Sequence, residues 1–421
     1  MGPAWALVSC TALMQDERSR RVLGPDACVP VPVAVSPGPA RAKLRPASST
    51  TARMVLCAVA VVAGCTPARP APPTTETRHP TPENVVALDQ LAARIADIEA
   101  PPSTRAVTLV QQIRRRHEVL TIGLEIGDPK QVFASIRDVE VDREGNVLVL
   151  DSRGNEVRVF ARDRPEVASF GGGQRRWQRR TPEGMEILPR GGVAIVDRTN
   201  ELTEFASTNG GWQVTRRTHL PFVPEDLCAN GEDLFVRGWG DDGAVLHVYS
   251  VGRHIRSFGS GYRSRVPLVR EQLSDGLVEC VPSAGVIVTA FTLFPYIYGF
   301  SPDGRLLWTS ELADFVGMKI VDTLNDRGRP RVVFHSRGDW SRVVELSRLT
   351  DGFVLVQVEQ VRQVDRAEVR RLKSYLLHAA SGTGTYVGDD IPLIRGSRWP
   401  NIYGAVERPF PQVMVFEVGR Q

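Results

Sequence analysis

From residue 118 onward, short apolar alternations follow one another, separated by tight-turn residues, and helical periodicity nearly vanishes. The clearest stretch lies between Ile136 and Phe160. Apolar side chains alternate at Val139 and Val141, then Val147 and Val149, then Val157 and Val159. Glu144-Gly145-Asn146 and Ser152-Arg153-Gly154-Asn155 provide two tight turns, and residues 167–171 add a fourth strand. A period of two with turn residues at the breaks is the pattern of half-buried strands joined as hairpins. The unit recurs. Residues 185–197 repeat its first hairpin, and residues 202–205 its third strand. A third unit covers 227–236, 245–249 and 255–259, and its last run nearly duplicates 167–171. A fourth covers 278–288 and 297–308, a weaker fifth 351–356, 374–378 and 385–388, and a sixth 401–418. Six units of roughly 50 residues each fill the chain from 118 to 418.

A four-stranded meander has two apolar faces and cannot bury them alone, so six such units are expected to stack around an axis as an all-β, six-bladed β-propeller. The sixth unit lacks a fourth strand. The unclaimed run from His117 to Glu125 is expected to supply it, which would close the ring and cover the last free edge. On these repeats the sequence resembles six-bladed propellers of the NHL and TolB-like kind, especially bacterial envelope lipoproteins. The resemblance covers roughly residues 110–420 and is best over 139–171 and 386–418. Units four and five depart from it, with an insertion over 316–339 and a helix-like run over 366–372. The resemblance implies a fold and leaves the function open.

Ahead of the repeats, residues 54–64 form an eleven-residue apolar segment ending at Cys65, with Arg45 and Arg53 upstream. It is too short to span a bilayer as a helix and fits the apolar core of a secretory signal. Val62-Ala63-Gly64-Cys65 resembles a bacterial lipobox, which implies diacylglycerol on the Cys65 thiol and cleavage before it. Thr66, rather than Asp, follows the cysteine, and by that resemblance the outer membrane is the expected location. Residues 65–82 are rich in proline and read as a stiff tether. Residues 1–53 show no sustained period and are expected to be an extension outside the mature protein, with translation starting later than Met1. Over 83–117 a helix and linker are expected. Thr81 serves as cap, Pro82 as first helical residue, and Val85, Leu88, Leu91, Ala92, Ile95 and Ile98 lie on one face. Residues 118–421 are the propeller, and a monomer is expected.

The whole chain has 52 Lys+Arg against 48 Asp+Glu, but residues 65–421 hold 45 of each. A neutral body offers no electrostatic reason to bind nucleic acid, so no nucleic-acid partner is expected. Gln174-Arg175-Arg176-Trp177-Gln178-Arg179-Arg180 interleaves arginines with a tryptophan, and is read as a solvated interblade loop. Cys228 and Cys280 each precede a second-strand apolar residue, Leu234 and Val286, by six positions. Equivalent positions in neighbouring units should point the same way, so two free, buried thiols are expected.

Motifs for nucleophilic, zinc or phosphate chemistry are missing. Gly299-Phe300-Ser301-Pro302-Asp303 fails the nucleophile-elbow pattern at its last position, and His117, His219, His247, His254, His335 and His378 never sit at ligand spacing. No catalytic residue and no metal ligand is assigned. The candidate site is acidic: Asp138, Glu183, Glu225, Asp226 and Asp275 all sit where an innermost strand begins. In a propeller they would converge on one mouth of the central channel. They either pair with Arg137, Arg237 or Arg398, or hold a divalent cation through oxygen ligands. The first reading gives a non-enzymatic, lipid-anchored module for a protein, peptide or glycan, with no cofactor. The second gives a metal-dependent, lactonase-like hydrolase or lyase.

Overall fold

The computed structural model describes residues 75–77, 94–97, 103–161, 166–171, 181–209, 211–264, 266–324, 330–335, 338–350, 352–364 and 367–419. Cys65, the residues proposed for the signal and residues 174–180 therefore lie outside the described residues. Six four-stranded antiparallel sheets follow in chain order. Blade one uses Ile136–Val141, Val147–Asp151, Glu156–Phe160 and Glu166–Phe170. Blade two uses Pro182–Ile187, Val193–Asp197, Glu201–Thr208 and Gly211–His219. Blade three uses Asp226–Asn230, Asp233–Arg237, Ala244–Ser250 and Arg253–Ser260. Blade four uses Gly276–Val281, Val286–Phe291, Tyr296–Phe300 and Leu306–Glu311. Blade five uses Trp340–Thr350, Phe353–Val364, Ala367–His378 and Gly384–Gly388. Blade six uses Leu393–Arg398, Asn401–Val406 and Gln412–Glu417, and its fourth, outer strand is His117–Ile122, paired antiparallel to Gln412–Glu417. The first strand of each blade packs against the first strand of the next, and blade six returns to blade one.

The ring exists because each sheet is apolar on both faces. Six apolar clusters fill the six gaps between neighbouring blades. Between blades one and two, for example, Leu148, Leu150, Val157 and Phe170 meet Met185, Val193, Ile195 and Phe205. Each fully buried side chain of this size contributes about 1.5–3 kcal/mol. Closure between blades six and one is tight: a Cβ built on Gly396 would lie 2.1 Å from the Val139 carbonyl oxygen. Arg398 donates to the carbonyls of Asp142 and Arg143 across the same gap. Asp151, at the end of a second strand, is fully buried and accepts from the amides of Ala134, Ser135 and Gly154.

Four sequence expectations need correction. Residues 83–93 of the expected helix lie outside the described residues. Helix α1 spans Thr104–Arg114, capped by the Ser103 hydroxyl, which accepts from Ala106 N at 3.2 Å. Its buried face, Ala106, Leu109, Val110 and Ile113, covers the gap between blades five and six. Arg94–Asp97, placed on the expected helix, is instead a strand paired parallel to Leu306–Glu311 at the outer edge of blade four. An exposed sheet edge offers unpaired backbone groups over the whole strand length, and that demand outweighs a weak helical pattern. Within the proline-rich tether, Thr75–Thr77 likewise adds to a hairpin formed by Lys319–Leu324 and Pro330–His335, inside the expected insertion. The helix-like run over 366–372 is also strand: from Ala367 it belongs to the long hairpin of blade five, whose partners run from Val364↔Ala367 to Phe353↔His378.

The fourth correction concerns the cysteines. Cys228 and Cys280 form a disulfide with Cα atoms 5.4 Å apart. Both lie seven residues before their cross-strand partners, Phe235 and Ile287, as an equivalence would require. The turns differ, however. Asn230 and Asp233 close two residues, whereas Val281 and Val286 close four. Two extra turn residues end the ladder one step earlier, and one step along a strand reverses the face. Cys228 therefore faces blade four and Cys280 faces blade three, in one shared cluster. Leu227 and Ala229, flanking Cys228, face blade two.

Candidate functional site

The first strands line the channel, and their carboxylates form tiers by position along the strand. At the opening tier, Glu183 is nearly buried and held by two arginines. Arg137 Nη2 lies 3.0 Å from Glu183 Oε2, and Arg198 pairs with Oε1. Arg137 Nε also donates to the Glu183 carbonyl at 2.8 Å, tying blade one to blade two. Glu225 accepts from Gly276 N at 3.1 Å, across to blade four, and lies 3.8 Å from Arg237 Nε. Arg237 is fully buried, stacks over the Phe291 ring at 4.6 Å and donates to the Ser274 carbonyl at 2.8 Å. Its Nε and Nη1 have no hydrogen-bond partner, and burial pulls its guanidinium below the ordinary arginine value. Asp275, next to this pair, is pushed up by burial against the pull of Arg237 and Arg137.

One step inward, Asp138 and Asp226 play the same part in different blades. Asp138 accepts from its own Val139 N and, at 2.8 Å, from Met185 N of blade two. Asp226 accepts from its own Leu227 N and, at 2.8 Å, from Val278 N of blade four. Each carboxylate thus bonds an amide of the next blade's inner strand. Asp138, Glu183 and Asp226 line one cavity, where backbone amides and guanidinium groups engage them; Glu225 and Asp275 are not part of that lining and lie by Arg237. Of the three arginines named as counter-ions, Arg137 and Arg237 take that role. Arg398 does not; it serves the closure between blades six and one at the far end of its strand.

The sequence reading missed the deeper acids. Glu345, in this second tier, pairs with Arg395 of blade six and is pushed up to about 7, chiefly by burial. Below it, Glu140, Glu186 and Glu279 surround Arg348. Glu279 accepts from Arg348 N at 3.0 Å, and Arg348 donates to the Cys280 carbonyl at 3.2 Å. Burial, then mutual repulsion, pushes Glu140 well above the ordinary carboxylate value; Glu186 shifts the same way, also by burial first. The signal was in the sequence: Glu140 and Glu186 each follow a candidate or its blade equivalent by two residues, on the same strand face. Glu345 was hidden because its strand carries two bulges, which break the alternation.

Among the described residues, no group of three or more His, Cys, Asp or Glu side chains is arranged to hold a metal ion. The channel cavity between these side chains measures about 40 Å³. That is room for about one water molecule, well below the several hundred Å³ of a small-molecule site.

No family model and no curated protein matches the chain. Solved structures do. A member of the DUF4221 family from Bacteroides vulgatus aligns at 7% identity and TM-score 0.46, covering 73% of this chain and 99% of that one. Virginiamycin B lyase from Staphylococcus aureus aligns at 10% identity and TM-score 0.42, covering 71% and 99%. BamB from Moraxella catarrhalis aligns at 10% identity and TM-score 0.37, covering 72% and 99%. At such identities the likeness concerns the fold alone.

Proposed function

We propose that this chain is a lipid-anchored, cell-envelope propeller that binds a protein, peptide or glycan on its outer surfaces and does no chemistry in its channel. The supporting observation is the narrow, polar-filled channel. Three of its candidate acids, Asp138, Glu183 and Asp226, are engaged by arginines and by amides of the neighbouring blade, around a cavity of about 40 Å³. Groups bonded in this way hold blades in register and leave no space for a substrate. The anchor is proposed from the segment ending at Cys65 and the tether after it. Several acyl chains give firm attachment where one is marginal.

The experiment is the metal content of the purified chain beside its Glu225→Ala and Asp275→Ala variants. We expect no stoichiometric calcium or zinc in any of the three. One bound ion per chain, lost in both variants, would replace this reading with the metal-dependent hydrolase or lyase. For the anchor, radiolabelled palmitate should enter the expressed protein and should not enter the Cys65→Ser variant; labelling of both, or of neither, removes it.

A further inference from the structure

A second cavity, of about 500 Å³, opens on the end of the ring where Glu225 and Asp275 sit, outside the channel and over the seam between blades three and four. Its volume lies within the range of small-molecule sites, roughly 300–1,000 Å³. One wall is the loop between the second and third strands of blade three, which carries Trp239, Asp242 and Gly243. The other is the connection after the fourth strand, with Tyr262, Arg263 and Ser264, and helix α2, Pro267–Leu273, with Arg270.

The walls are rigidly framed. Gly261 N donates to the Gly243 carbonyl at 2.9 Å, joining the two loops. A Cβ on Gly261 would come within 2.7 Å of Ser274 Oγ and 2.9 Å of Trp239 Cδ1, so only glycine permits this approach. Ser274 Oγ accepts from Tyr262 N at 2.9 Å, and the Tyr262 ring stacks on Phe294 at 5.6 Å. The Cys228–Cys280 disulfide crosslinks the same two blades.

The lining has a definite chemistry. The Arg270 guanidinium stands over the Trp239 ring at 5.1 Å, and its Nε is buried with no hydrogen-bond partner. Arg263 is exposed beside it. Asp242 uses one oxygen on Ala244 N at 3.0 Å. Two guanidinium groups against one carboxylate leave a net positive wall, which suits an anionic group. The half-buried tryptophan offers a flat apolar surface, and Asp242 with Ser260 offers hydroxyl partners.

We propose that this cavity is a binding site for an acidic sugar: a sugar-sized ring bearing one carboxylate or phosphate, its anion on Arg263 and Arg270 and its ring against Trp239. The proposal rests on the binding-module reading and names the ligand class for it. Calorimetric titration of the full chain with glucuronate, glucose 6-phosphate and neutral glucose tests it. At least one of the two anions should bind about tenfold more tightly than glucose. Which one does assigns the carboxylate or the phosphate. Arg270→Gln and Arg263→Gln should each weaken that binding about tenfold. Arg263 is exposed, so its variant keeps the test valid should Arg270→Gln impair folding. The proposal is overturned if neither anion binds at about 10 mM. It is equally overturned if glucose binds as tightly, or if Arg263→Gln and a folded Arg270→Gln bind like the parent. Consumption of a bound sugar during titration would instead overturn the binding-only reading and leave the site standing.

Discussion

The channel wall and the seam between blades three and four use the same inner strands in opposite ways. On the channel side, carboxylates are packed beside arginines and neighbouring amides, and burial pushes several of them upward from the ordinary carboxylate value. On the seam side, the residue two places after Asp226 is Cys228, set among Phe235, Val248 and Phe291 and bonded covalently to Cys280. The channel binds its blades through polar groups that pay a desolvation penalty. The seam uses apolar burial and a crosslink, which carry no such cost. A ring can therefore be closed by two different physical means on one strand, because Asp226 sits beside other channel carboxylates while Cys228, two residues further along the same face, is packed among apolar side chains of blade four.

The comparison can be broken most sharply at the seam. Replacing both Cys228 and Cys280 by Ala should lower unfolding free energy by roughly 4 kcal/mol, the chain-entropy value for a loop of this length. Guanidinium unfolding with and without reductant measures it. If reduction leaves the parent's midpoint unchanged, the crosslink does not distinguish this seam from the others. A smaller loss, about 2 kcal/mol, is expected for Gly396→Ala, because its Cβ would press on the Val139 carbonyl where blade six meets blade one. A neutral result there would mean that closure tolerates separation. The smallest effect should come from Glu140→Gln in the channel. Its folded-state pKa is raised above the ordinary 4.5, so the stability it contributes is present below that value and is lost as pH rises through the folded pKa. Thermal midpoints of the parent should accordingly fall as pH rises from 4.5 toward neutrality, and the variant should flatten that decline. His247 acts in the other direction. Burial lowers its pKa, so its contribution is present above 6.5 and is lost as pH falls, in parent and variant alike. A variant whose profile matches the parent's would show that neither burial nor its acidic neighbours raise the Glu140 carboxyl.

How much was legible differs between the two regions. The repeat, the number of blades and the outer strand supplied by His117–Ile122 were readable, since period-two alternation and turn residues are local signals. The meeting of Asp138, Glu183 and Asp226 around one cavity was readable too, because like positions in stacked units must share an end, whereas Glu225 and Asp275 stand outside that lining. What was not readable depended on one-residue offsets. The first strands of blades five and six escaped notice, as bulges at Val343/Glu345 and Ile394/Gly396 interrupt their alternation. The cysteine pairing escaped because turn length, rather than spacing to the next apolar residue, decides which face a side chain takes.

Sequence alone determined the architecture: six sheets with two apolar faces each can satisfy them only by stacking into a closed ring. Tertiary structure alone decided which polar side chains meet. Glu345 finds Arg395, Arg237 sits buried over Phe291, and Trp239 and Arg270 come together over a cavity, through contacts between different strands, loops and blades. Such contacts depend on strand register and loop path to within a single residue, a precision that hydrophobic periodicity does not carry.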